Sequence, residues 1–107
     1  IRTNNPQAGL MLVTPAECQR RLRRRRGSSY AVNDRVATVR ETINRYGREH
    51  GVAVYDWYEV AGGKGSSTQW IKAGLFSRDR IHYNRQGYEL SGYMLYEAIV
   101  NSLNSDR

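Results

Sequence analysis

The stretch Leu10-Met11-Leu12-Val13-Thr14-Pro15 contains a short apolar run, bounded by Gly9 on one side and by Pro15 on the other. The run lacks the apolar–polar alternation that is typical of a strand with one face in solvent. Strands of parallel sheets are covered on both faces and have continuous apolar sequences of this kind. We therefore predict a buried strand of a parallel sheet here, preceded by a turn at Asn4-Asn5-Pro6-Gln7.

An amphipathic helix is predicted downstream of this strand. Asn33 or Asp34 provides its N-cap, and Gly51 is placed to end it in a left-handed conformation. The apolar residues between these ends recur at helical spacing, at Val36, Val39, Ile43 and Tyr46. A second strand is then predicted at residues 52–58, Val52-Ala53-Val54-Tyr55-Asp56-Trp57-Tyr58. Strand, helix and strand in this order form a right-handed crossover unit with two parallel strands.

The remaining sequence predicts loops and one long helix. Loops are predicted at residues 61–68 and 79–83. A short apolar segment lies between them at residues 70–76. Asn84 is expected to cap a C-terminal helix. The apolar stripe of that helix consists of Tyr88, Leu90, Gly92, Met94, Leu95, Ile99 and Leu103.

Two parallel strands seldom make a stable sheet alone, so further strands are expected beside the two predicted ones. We expect residues 1–107 to be a single partial domain. The first strand, around Leu10–Val13, would then be covered by a missing N-terminal half or by another chain.

The composition is that of a globular and strongly basic chain. Hydrophobic residues make up 39% and charged residues 25% of the sequence, which is typical of globular proteins. The formal net charge is +7, and six arginines fall in the seven-residue window Arg20–Arg26. We predict that this window is a solvated loop that follows the first strand.

Cysteine and histidine are rare in this chain. Cys18 is the single cysteine, so no internal disulfide can form, and the two histidines, His50 and His82, suggest no ligand set. We expect neither a metal nor an organic cofactor. No apolar run approaches the roughly 20 residues that a membrane-spanning helix needs.

Asp79-Arg80-Ile81-His82 is the segment whose residue types suggest chemistry. A carboxylate three positions before a histidine on a turn can accept a hydrogen bond from the imidazole Nδ1–H. That bond fixes the tautomer and leaves Nε2 free to take a proton from a hydroxyl nucleophile. Such a spacing often occurs by chance, so the spacing alone favours a hydrogen-bonded structural turn over a catalytic pair.

A longer pattern around this segment resembles a known family. Asp79-Arg80-Ile81-His82-Tyr83-Asn84, followed by Gly87-Tyr88 and a helix, resembles the last motif block of the SGNH hydrolases, the GDSL-type esterases and lipases. Asn5-Pro6 leading into residues 10–15 resembles the fourth strand of that family, and residues 52–58 resemble the fifth. The stretch from Gly62 to Leu75 resembles a bacterial secreted subgroup of acyl-sugar or cell-wall acetyl esterases.

The resemblance implies a fold, a reaction and a location. The fold would be the C-terminal half of a flavodoxin-like three-layer α/β/α sandwich, with parallel strands and flanking helices. Asp79 would orient His82, and His82 would be the general base for a serine that attacks an ester. The ester would be an O-acetyl group on a carbohydrate or cell-wall polymer, and the protein would be secreted or periplasmic.

The chain also departs from the family pattern. It contains no Gly-Asp-Ser nucleophile block and no Gly-x-Asn-Asp block, and the oxyanion-hole glycine is missing too. In the family these elements precede the fourth strand. We therefore expect a truncated chain or a proteolytic fragment that supplies the Asp–His pair and is inactive alone.

An alternative function comes from the arginine window. A non-catalytic basic module would bind nucleic acid or an anionic surface through Arg20–Arg26. Tyr30 is the nearest aromatic residue and none is interleaved with the arginines, which disfavours nucleic acid.

Other candidate groups have structural explanations. The serines lie outside any nucleophile-elbow sequence, and the glycine-rich residues 62–67 lack the spacing of a phosphate-binding loop. His50 at a helix C-terminus suits the helix dipole. Tyr55, Trp57 and Tyr58 are expected to pack in the core or at the sheet edge, and the alternative is that they line the acyl or sugar pocket. Cys18 has no evident base beside it.

Overall fold

The structure, a computed structural model, describes residues 4, 7–23 and 27–105. Along the chain these contain β1 (Met11–Val13), β2 (Gln19–Arg23), β3 (Ser28–Val32), α1 (Arg35–His50), β4 (Ala53–Tyr55), α2 (Trp57–Val60), α3 (Ser66–Lys72) and α4 (Arg85–Ser105). Asn5 and Pro6 of the predicted turn, and Arg24–Arg26 of the arginine window, lie outside the described residues.

A two-stranded parallel sheet links the two halves of the sequence. β1 pairs with β4 in parallel, and Leu12 lies opposite Val54. α1 connects the strands and packs closely on the sheet, since a Cβ at Gly47 would overlap the side chain of Val54. The predicted strand–helix–strand unit with parallel strands is confirmed.

The ends of α1 agree with the sequence signals. Gly51 is left-handed, with φ 63°, and its N–H donates to the carbonyl of Gly47. At the other end the side-chain oxygen of Asn33 accepts a hydrogen bond from the N–H of Arg35 at 3.2 Å. The side chain of Asp34 makes no capping bond.

The second strand is shorter than predicted. It ends at Tyr55, and Trp57 and Tyr58 begin α2 instead of extending the strand. The hydroxyl of Thr14, just after β1, accepts the N–H of Tyr58 at 3.0 Å. Asp56 is held at this bend by Arg40 of α1, at 2.6 Å. The chain therefore turns at Asp56, and both aromatic residues are buried as core residues, as expected.

The prediction of a loop for the arginine window is wrong for its described part. Arg20, Arg21 and Arg23 lie in β2, which pairs antiparallel with β3. Tyr30 lies opposite Arg21 in this hairpin. Successive strand side chains point to opposite faces, which separates neighbouring guanidinium groups, and the ladder satisfies the backbone. The backbone pairing therefore tolerates the like charges.

α3 begins inside residues 61–68, which the sequence predicts as a loop. Glu17 causes this start: its carboxylate accepts the N–H groups of Gly65 at 2.9 Å and Ser67 at 2.8 Å. These donors lie at the first turn of α3, where a carboxylate is favourable. The apolar segment that follows includes the rest of α3, with Trp70 buried.

The core is an aromatic cluster around Trp57 and Trp70, with Ala61 between the two helices that carry them. The two indole rings meet edge to face with centroids 5.7 Å apart. Tyr83 stacks on Trp70 with a centroid distance of 4.8 Å. This cluster fixes α2 and α3 against the segment before α4.

The predicted stripe of α4 is only partly covered. Leu95, Ile99 and Leu103 line an apolar groove of about 340 Å³ between α4 and the β1–β4 sheet. Leu103 is 63% exposed, and Met11 of β1 is 42% exposed. Coverage of this region by further polypeptide stays a prediction. Among the described residues, no helix combines the length and the apolar character needed to cross a membrane.

Candidate active site

Asp79 and His82 lie on a tight turn between α3 and α4. The turn is closed at its base by an antiparallel bridge between Phe76 and Tyr83. The N–H of Ser77 donates to the carbonyl of His82 at 2.8 Å, so the loop is tied on both sides. The expected loop at residues 79–83 is confirmed.

The Asp79 carboxylate has three hydrogen-bond donors within this turn. Its Oδ1 accepts the backbone N–H groups of Ile81 at 2.8 Å and His82 at 2.9 Å. Its Oδ2 lies 2.6 Å from Nδ1 of the His82 ring. The His82 side chain is 67% exposed, so solvent and other molecules reach the ring.

These contacts determine which atom of the ring carries a proton. The hydrogen bond from His82, followed by those from the two backbone N–H groups, lowers the pKa of Asp79 to about 2. At neutral pH Asp79 is therefore an acceptor, and Nδ1 must be the donor. In the neutral ring Nε2 then holds a free lone pair. This is the tautomer that a general base needs.

Tyr83 anchors the turn to the rest of the molecule. Its ring points into the aromatic cluster, and its hydroxyl accepts a hydrogen bond from Trp57 Nε1 at 3.1 Å. Trp57 begins α2 one residue after Asp56, which follows the end of the parallel strand β4 at Tyr55. The Asp79–His82 turn therefore lies near the carboxyl end of the parallel strands, where ligands bind in open α/β sheets.

Asn84 and Gly87 join the turn to α4. The Asn84 side chain donates to the carbonyl of Gly74 at 2.6 Å and accepts the N–H of Gly87 at 3.0 Å. The predicted cap is confirmed. A Cβ at Gly87 would overlap the carbonyl oxygen of Leu75, so only glycine allows this approach.

Arg80 is a residue that the sequence alone does not single out. It is left-handed, with φ 58°, and its guanidinium donates to the Gln19 side chain at 3.2 Å. The same guanidinium lies 4.0 Å from the centroid of the Tyr30 ring. The carbonyl of Arg80 accepts the N–H of Gln19 at 3.0 Å. Arg80 thus ties the Asp79–His82 turn to the β2–β3 hairpin.

The serines near the site are engaged in structural bonds. Ser67 is buried and donates to Glu17 at 2.6 Å, and Ser77 donates to the carbonyl of Tyr83 at 3.1 Å. In the part of the chain that the structure describes, no hydroxyl bonds to Nε2 of His82.

Cys18 and His50 show no features of a reactive centre. Burial, and then the charges of Glu17 and Asp79, raise the pKa of the Cys18 thiol, which disfavours the reactive thiolate. The His50 ring packs at a tilt against the Tyr46 ring, with centroids 4.1 Å apart, at the exposed end of α1. Residues 4, 7–23 and 27–105 contain no cluster of three or more His, Cys, Asp or Glu placed to hold a metal.

Comparisons with known proteins identify the fold. No protein-family model matches the chain, and no curated protein matches it. A solved structure of a peptidoglycan O-acetylesterase superimposes with a TM-score of 0.82 over 98% of this chain, at 24% identity. The esterase domain of the ORF1 protein from the zebrafish ZfL2-1 retrotransposon superimposes with a TM-score of 0.60 over 94% of this chain, at 18% identity.

This chain spans only part of each of these proteins, 29% of the first and 51% of the second. Together with the parallel β1–β4 sheet and its flanking helices, the similarity confirms the predicted fold class. The chain has a partial flavodoxin-like α/β fold, with a parallel sheet and flanking helices, that is similar to the folds of these two esterase structures.

Proposed function

We propose that this chain supplies the orienting carboxylate and the general base of a serine-dependent carboxylic ester hydrolase. The observation that carries the proposal is the 2.6 Å hydrogen bond between Asp79 and Nδ1 of His82, with the His82 ring open to solvent. The nucleophilic serine and the oxyanion donors would come from polypeptide outside these 107 residues.

In the proposed reaction Nε2 of His82 takes the proton of the serine hydroxyl as its oxygen attacks the ester carbonyl. Asp79 stabilises the imidazolium that forms and keeps its proton-donating Nδ1 in place. The imidazolium then protonates the departing alcohol, which leaves an acyl-serine. Water cleaves the acyl-serine by the same proton transfers, and His82 returns to its neutral form.

The substrate class is proposed from the two fold neighbours, which are both esterases and one of which acts as a peptidoglycan O-acetylesterase. We infer O-acetyl groups of a carbohydrate or cell-wall polymer as substrate. A polymer of that kind lies outside the cytoplasmic membrane, so the proposed location is secreted or periplasmic.

The test is hydrolysis of an aryl acetate by the protein expressed from its complete gene. His82→Ala should lower kcat/KM by about 10³-fold or more, because it removes the base of a cooperating triad. His50→Ala, which changes the other histidine, is the control and should leave the rate unchanged. The 107-residue chain alone should hydrolyse no ester. Undiminished turnover in His82→Ala would remove His82 from the mechanism.

A further inference from the structure

The β2–β3 hairpin carries a set of uncompensated arginines. Arg20, Arg21 and Arg23 are all exposed. Within the part of the chain that the structure describes, none of the three side chains forms an ion pair or a hydrogen bond. The strand places them within about 10 Å of one another along β2. Arg21 and Arg23 lie on the same face, about 7 Å apart along the strand, which is within the screening length at physiological salt, so these two charges act together as one positive field.

This hairpin is fixed next to the Asp79–His82 turn. Gln19, the first residue of β2, exchanges hydrogen bonds with both the carbonyl and the guanidinium of Arg80. Arg80 stands between Asp79 and His82 in the sequence and also covers Tyr30 of β3. A chain molecule lying along the exposed arginines would therefore pass beside the candidate active site.

The chemistry of the hairpin favours an acidic glycan over a nucleic acid. Guanidinium groups pair with carboxylates, sulfates or phosphates through forked hydrogen bonds. Single-stranded nucleic acids also need aromatic rings on which bases stack. Tyr30 is the aromatic ring of the described hairpin, and the guanidinium of Arg80 covers it at 4.0 Å.

We propose that the β2–β3 hairpin is a docking surface for an anionic polysaccharide whose ester group is presented to His82. The inference rests on the proposed ester hydrolysis for the identity of the substrate, and it adds that the substrate is part of a negatively charged polymer. Arg21 and Arg23 lie on the side of β2 shared with Gln19. They are the residues that hold the polymer nearest to the turn.

Binding is measured by fluorescence anisotropy with labelled heparin as the acidic glycan, labelled dextran as the neutral glycan and labelled oligo(dT) as the nucleic acid. Arg21→Gln with Arg23→Gln should weaken heparin binding on the order of tenfold at low salt and reduce the salt slope by about two. The matched control is Arg45→Gln with Arg48→Gln, which removes the same charge from the exposed face of α1. It should keep nearly full affinity, and dextran should not bind.

Three results would overturn the proposal: no heparin binding at low salt, equal losses in both double variants, or tighter binding of oligo(dT) than of heparin. The second would mean that net charge alone is responsible, and the third would identify a nucleic-acid surface. The assay involves no ester, so its failure leaves the role of His82 in hydrolysis standing. Conversely, full hydrolysis by His82→Ala would leave the binding result intact.

Discussion

At the scale of single residues, the three-position spacing between Asp79 and His82 has a physical meaning. An aspartate side chain readily accepts backbone N–H groups two and three positions later, which is the local bonding that stabilises turns. Asp79 does so with Ile81 and His82 and uses its second oxygen for the His82 ring. One carboxylate therefore shapes the turn and orients the His82 ring at the same time.

The pKa of Asp79 gives a prediction at this scale. Its pKa is lowered to about 2 from an ordinary 3.8, with the His82 ring as the first cause. In His82→Ala the pKa should rise toward 3.8 without reaching it, because both backbone N–H donors remain. The measurement is a carboxyl ¹³C NMR titration. Asp56, whose pKa is also lowered to about 2 but by Arg40, is the internal control and should not move.

The direction of the linked pH dependence follows from the same shift. A carboxyl whose pKa is lower in the folded protein stabilises the fold above its unfolded pKa. That contribution disappears as the pH falls from about 4 through about 2. The Asp79–His82 contact should therefore persist throughout the neutral and mildly acidic range. An Asp79 pKa that stays near 2 in His82→Ala would show that the imidazole does not hold this carboxylate.

At the scale of secondary-structure elements, the start of α4 fixes the turn. Asn84 caps the helix and binds back to Gly74, while Gly87 lies against the carbonyl of Leu75. In the motif Asp-x-x-His-x-Asn-x-x-Gly, the Asp and His thus form the turn, the Asn caps the helix, and the Gly allows the close backbone contact. Each motif residue has a role that the local geometry requires.

Two glycines of α4 form a matched pair for a stability test. Gly87→Ala should destabilise the fold by about 1–3 kcal/mol, because the added methyl overlaps backbone at Leu75. Gly92→Ala, where a Cβ meets nothing within 4 Å, should be neutral or stabilise by up to about 1 kcal/mol. Urea unfolding monitored by tryptophan fluorescence compares the two. Equal effects of the two substitutions would contradict the close contact at Gly87.

Local signals were sufficient for some elements and insufficient for others. The strand at β1, the periodicity of α1, its left-handed Gly51 and the Asn84 cap all depend on signals within a few residues, so the sequence predicts these elements correctly. The predicted burial of β1 is not observed in these residues, since Met11 and Val13 are exposed. β2 was missed because six arginines suggest solvation, while its pairing with β3 depends on a second segment. The start of α3 was missed because Glu17, 50 positions before Ser67, supplies its capping carboxylate.

At the scale of the whole molecule, a few long-range polar contacts hold the site in place. Arg40 and Asp56 join α1 to the end of β4, and the Thr14 hydroxyl donates to the same carboxylate at 2.8 Å. Gln19 and Arg80 are 61 positions apart. The hydrogen bond between His82 and Asp79 was predictable because the two residues are three positions apart. The attachment of their turn to the β2–β3 hairpin was not predictable, because no spacing rule relates residues as distant in sequence as Gln19 and Arg80.

Both fold neighbours are longer than this chain. The chain spans 29% of one esterase and 51% of the other. The described residues place no hydroxyl on Nε2 of His82. In the proposed mechanism the nucleophile comes from polypeptide outside these 107 residues.

The most direct measurement is covalent labelling of the protein from the complete gene with a fluorophosphonate probe, followed by peptide mass mapping. We expect an adduct on a serine outside residues 1–107, whose rate of formation falls by orders of magnitude in His82→Ala and is unchanged in His50→Ala. Labelling at the same rate in His82→Ala, or an adduct on a serine within these 107 residues, would contradict the proposed mechanism.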